Sequence, residues 1–95
     1  MNLDQFQALE TEPAKFTIAL RALWQAARDD WDRAHALVQD DHSKESAWVH
    51  AYLHRKEGDI ANARYWYMRA GRPEFRGGLD EEWSEIARAL LEEAE

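Results

Sequence analysis

"GDIANARYWYMRAG", from Gly58 to Gly71, is the stretch that decides how this chain folds. It opens on a Gly-Asp pair, closes on a second glycine and has no proline between them. A glycine suits a left-handed helix C-cap and the aspartate after it an N-cap. The stretch therefore predicts the end of one helix at Gly58, a second helix over 60–70 capped by Asp59, and a stop at Gly71. A rough echo lies upstream in "DDWDRAHALVQD", which begins at Asp29. At an offset of 29, Ala22 meets Ala51, Leu23 meets Tyr52, Trp24 meets Leu53 and Asp30 meets Asp59. Ala34 then meets Ala63, Trp31 meets Ile60, Leu37 meets Trp66 and Val38 meets Tyr67. Small pairs with small and large apolar with large apolar, which is the pattern of a helical hairpin written twice.

The rest of the chain also reads as helix. Leu3, Phe6 and Leu9 share one side of a short first helix. Thr11 as N-cap and Pro13 in the first turn predict a second helix running to about Arg28, with Phe16, Leu20, Leu23 and Ala27 as its stripe. Asp30 caps a third helix to about Gln39, and Ser43 a fourth over about 44–56. In "AWVHAYLH" the apolar residues cover three quarters of the girth and His50 and His54 the fourth, so this helix belongs in the middle of the domain. After the irregular "RPEFRGG", anchored by Phe75, Asp80 opens a last helix with Leu79, Trp83, Ile86 and Leu90 on one face. The fold expected is all-α: about six helices in one domain over 1–95, with a first hairpin at 11–41, a second at 43–71 and a C-terminal capping helix at 79–95. Tyr67 takes a core position, and Trp66 or Tyr65 is expected to pack on Trp83.

The run "AYLHRKEGDIANARYWYMRAGRP" resembles the tetratricopeptide repeat. Ala51 stands at its small first-helix position, Gly58-Asp59 at its turn, and Ala63, Tyr67 and Ala70 on its second helix, with Pro73 following. The run of Ala63, Trp66, Tyr67 and Ala70 is similar to the Sel-one-like variant. The match covers about 44–73 well and 15–41 poorly. The offset of 29 is shorter than either family's repeat, and Asp29 stands where the first turn would have glycine. The resemblance implies stacked antiparallel hairpins whose role is to bind peptides or partner proteins. Two units fall short of the three a stable array usually needs, so either flanking helices or a second copy, as a homodimer, complete the core.

Composition narrows the chemistry. The chain has 95 residues, no cysteine, and a net charge of −7. Disulfides, thiolate metal sites and thiol nucleophiles are excluded, and the pattern suits a cytoplasmic setting. The N-terminus lacks the basic and apolar regions of a signal peptide, and no apolar run approaches the ~20 residues of a membrane span. The charge is concentrated at the end, where residues 80–95 carry seven acids against Arg88. With no basic patch for a run of phosphates, nucleic acid is not expected as a partner. A domain of this size is expected to enclose no cofactor, and no serine, histidine and acid are arranged for nucleophilic catalysis. The expectation is a non-catalytic module.

Two candidate sites remain. Trp48, Tyr52 and Arg55 project at i, i+4 and i+7, with Lys56 beside them. By the resemblance these positions line a concave groove, where an aromatic-basic surface would hold an acidic segment; the alternative is that both aromatics are core. His50 and His54, four apart on one helix, could ligate zinc, copper or nickel if His35, Glu57 or Asp59 converged on them. Such a metal- or small-ligand-binding role is the second functional reading, against two histidines hydrogen-bonded at a helix interface.

Overall fold

The structure, a computed structural model, describes residues 1–94. The described residues form six helices: α1 (Leu3–Gln7), α2 (Ile18–Ala27), α3 (Trp31–Gln39), α4 (Lys44–Glu57), α5 (Ile60–Ala70) and α6 (Leu79–Ala94). The expected last helix extended to Glu95, which lies outside the described residues. No described helix is long and apolar enough to cross a membrane.

Helices α2 and α3 form one hairpin, α4 and α5 the second. Their turns share a geometry that sequence spacing foretells. Gly58 has a φ of 92°, and Asp29, 29 positions earlier, has a φ of 60°. The next residues, Asp30 and Asp59, have nearly equal dihedrals (φ −96°, ψ 73° and φ −91°, ψ 78°), and each side chain accepts from the backbone N–H three residues on. The aligned alanines Ala22, Ala51, Ala34 and Ala63 are all buried, which lets the helices approach closely.

Helix α2 starts later than Thr11 and Pro13 imply. Its N-cap is Thr17, whose hydroxyl accepts from the Leu20 N–H. The physical reason is Glu12. Its carboxylate accepts from Arg21 at 2.8 Å, Gln25 at 2.8 Å and Arg33 at 3.2 Å, which ties the preceding segment back onto α2 and α3. Burial opposes the charge, yet those hydrogen bonds outweigh it and hold the Glu12 pKa down at about 2. Phe16 thus falls outside α2, stacking on Phe6 at 6.1 Å, while Ala27 is exposed.

Helix α4 is central, touching α2, α3, α5 and α6. Nine consecutive residues, Ser46 to His54, are buried. Helix α6 packs on α2 and α4, and α1 closes against α2 and α6. The Trp83 indole N–H donates to the Leu23 carbonyl at 2.8 Å, and its ring lies 6.0 Å from that of Phe6. The expected packing of Trp66 or Tyr65 on Trp83 does not occur: Trp66 lies on the side of α5 turned to α4 and stacks on His50, while Trp83 is turned to Phe6 of α1 and Leu23 of α2.

Candidate functional site

The stripe predicted to face a partner is built into the core. Trp48 is 6% exposed and Tyr52 3% exposed. The Arg72 guanidinium covers the Trp48 ring at 3.8 Å. Burial, aided by Asp80 and Glu82, raises the Tyr52 phenol to about 12. Arg55 donates to the buried Glu82 at 3.0 Å and to the Gly77 carbonyl. Lys56 donates to the Ala26 carbonyl at 3.3 Å and lies 3.6 Å from Asp29. Among the described residues, Trp48, Tyr52, Arg55 and Lys56 are therefore engaged within the domain and do not line one shared open groove. The chain's own α6, and the loop that leads into it, occupy that side of α4.

Glu82 is fully buried and also accepts from the Tyr67 hydroxyl. Burial raises its pKa, against the pull of Tyr67 and Arg55. It links α4, α5 and α6 through two side chains, Arg55 and Tyr67.

The histidines are brought together. His50 and His54 rise from α4 with ring centroids 4.8 Å apart, and His35 of α3 faces both at 4.8 and 5.3 Å. One nitrogen from each of the three lies within 4.8 Å of the other two. Trp66 stacks on His50 at 3.8 Å and Trp31 on His35 at 4.7 Å, so indoles flank the cluster. Trp31 is fixed in turn by its N–H, which donates to the Leu53 carbonyl at 2.7 Å.

The three rings are not equivalent. His54 Nδ1 faces Glu57 Oε2 at 2.6 Å. His50 Nδ1 is buried without a hydrogen-bond partner. A polar atom left in that state costs about 1–3 kcal/mol. Burial, then the nearby His54 and His35, lower the His50 pKa to about 3, and burial lowers His35 as well. Both therefore keep a neutral ring, with a lone pair, at neutral pH. Asp59 and Glu57 form a second group with His54, but Asp59 is occupied in capping α5. The contribution of Trp31 is legible in its i, i+4 spacing to His35; that of Trp66 is not, since it depends on how α5 packs on α4.

A third feature is the outer face of α5. Helix α5 packs chiefly on α4, with Tyr67 reaching Glu82 of α6, and its outer face is left open. Ile60, Tyr65 and Met68 are exposed on it, Met68 to 72%. No acid occurs in Ile60–Ala70, and residues 64–76 hold Arg64, Arg69, Arg72 and Arg76 against Glu74. Arg69 donates to the Tyr65 hydroxyl at 3.0 Å and Arg64 to Glu74 at 3.2 Å. Comparison with protein-family models, with curated proteins and with solved structures gave no match.

Proposed function

We propose that this chain is a non-catalytic protein-interaction module of tetratricopeptide-like type, and that its docking surface is the outer face of α5. The observation that carries the reading is the apolar strip of Ile60, Tyr65 and Met68, left exposed on the outer face of α5. Exposed apolar residues gathered on one helix face mark an interaction surface more than scattered ones do. The surrounding arginines, set in a chain of net charge −7, select an acidic partner. The occupant is an acidic amphipathic helix of a partner protein, with its apolar side on Tyr65 and Met68 and its carboxylates toward Arg69 and Arg72.

A synthetic peptide of Leu79–Ala94, which is acidic and amphipathic, serves as the probe. Titrated into the 15N-labelled chain at low salt, it shifts the amide signals of Ile60–Arg72, and both added salt and Met68→Glu weaken the effect. No shift would overturn the reading, as would shifts confined to α2 and α4, where the peptide merely replaces the chain's own α6. Sedimentation across concentration identifies a second copy as the occupant if association is salt-sensitive and lost in Met68→Glu.

A further inference from the structure

The geometry points to a transition-metal site formed by His35, His50 and His54, one that takes a borderline divalent ion such as zinc, nickel or copper(II). This goes beyond the docking face, which lies on another side of α5 and uses none of these residues.

The placement is suited to one ion. The three nitrogens already lie within 4.8 Å of one another. A tetrahedral ion with metal–nitrogen bonds of ~2.0–2.1 Å holds its ligand atoms about 3.3 Å apart. Shifts on the order of 1 Å then bring the three onto a common centre. Two of them sit at i and i+4 on α4, the helix packed against four others, and the third comes from the neighbouring α3. The site thus has two ligands from one rigid element and one from a second.

His50 supplies the independent sign of a ligand. It is 3% exposed, and its Nδ1 makes no hydrogen bond. Three imidazoles packed merely as aromatic rings leave that atom unpaired; a bound ion gives the ring's nitrogens a purpose. His54 is prepared differently. Its Nδ1 faces Glu57 Oε2 at 2.6 Å, which fixes the proton on Nδ1 and leaves Nε2 with its lone pair. A carboxylate behind a ligating imidazole also raises its basicity and brings a negative charge near a dication.

The donor set chooses the ion. Neutral imidazoles suit zinc, copper and nickel, whereas magnesium and calcium require oxygen ligands. With Asp59 engaged as the α5 cap and Glu57 behind His54, the carboxylates support the imidazoles rather than replace them. His35 is half-buried, which gives the ion a way in, and Trp31 and Trp66 screen the flanks.

The test uses the full chain without a tag, stripped of metal by a chelator. Zinc(II) is titrated by calorimetry and cobalt(II) by visible absorption, while long-range 1H–15N spectra follow the four histidine side chains. One ion binds per chain, cobalt(II) gives the intense bands of a tetrahedral centre, and the signals of His35, His50 and His54 move while those of His42 do not. His35→Gln weakens binding by more than the ~10–100-fold that follows loss of an indirect partner, and Glu57→Gln weakens it by about that amount. His42→Gln changes nothing. Absence of binding overturns the site. So does movement of His50 and His54 alone with His35→Gln at full affinity, or movement of His54 alone, which would place the ion at Glu57 and Asp59. The spectra of the unmodified chain decide the matter even if a variant does not fold.

Discussion

Asp29 carries a conformation that side chains with a Cβ adopt at a cost. Its φ of 60° is the left-handed geometry that Gly58 supplies in the second hairpin. Its ion pair with Lys56, 3.6 Å away on an exposed side chain, offsets little of that. Asp29→Gly should raise stability by about 0.5–1 kcal/mol, visible as a few degrees in thermal unfolding; an unchanged or lower midpoint would show that the aspartate relieves its own strain. The opposite case is Arg55. Its partner Glu82 is fully buried, so removal of the guanidinium strands a carboxylate inside the domain. Arg55→Ala should cost about 3–5 kcal/mol, measured by urea denaturation, and a loss under 1 kcal/mol would mean that burial keeps Glu82 protonated and neutral without it.

Among the elements, α4 and α5 are opposite in tolerance. Helix α4 has neighbours on four other helices and no exposed residue between Ser46 and His54. Ala51 is fully buried at the position where the hairpins draw close. Ala51→Leu should destabilise by about 1–3 kcal/mol through overpacking. Helix α5 has one covered side only. Met68→Ala should stay within about 0.5 kcal/mol of the parent chain, and any binding it loses is then a surface effect. Equal destabilisation by the two changes would contradict this division.

At the scale of the molecule, α6 lies on α2 and α4, and its Trp83, Ile86, Leu90 and Leu91 join the core. The pH response is also collective. His50 titrates at 6.5 when unfolded and about 3 when folded, and Glu12 at 4.5 and about 2. Below each unfolded value the unfolded chain takes up a proton that the fold refuses, so stability falls with pH. The metal-free protein should be most stable above pH ~6.5 and lose about 1.4 kcal/mol per pH unit per refusing group beneath it. Glu82, shifted upward, works the other way at the acid end. Urea midpoints between pH 7 and pH 4 check the sign; a flat profile for the unmodified chain, or an undiminished slope in His50→Phe, would exclude His50 as the source.

Local rules were enough for the helices from Trp31 onward. Asp30, Ser43 and Asp59 cap where their side chains reach backbone N–H groups three residues ahead, Gly58 and Gly71 stop helices because they accept positive φ, and the apolar girth of α4 placed it in the centre. These are interactions within a turn or two, and sequence records them directly. It also recorded the i, i+4 pair of His50 and His54. What it did not record was anything decided by packing between distant segments. The pull of Arg21, Gln25 and Arg33 on Glu12 moved the start of α2 from Thr11 to Thr17. The choice of α6 to lie on α2 and α4 turned Trp48 and Tyr52 from groove into core. The meeting of His35 with the α4 pair, and of Trp66 with His50, depended on how α3 and α5 settle against one helix. Periodicity says which side of a helix is apolar; only the tertiary structure says which neighbour covers it.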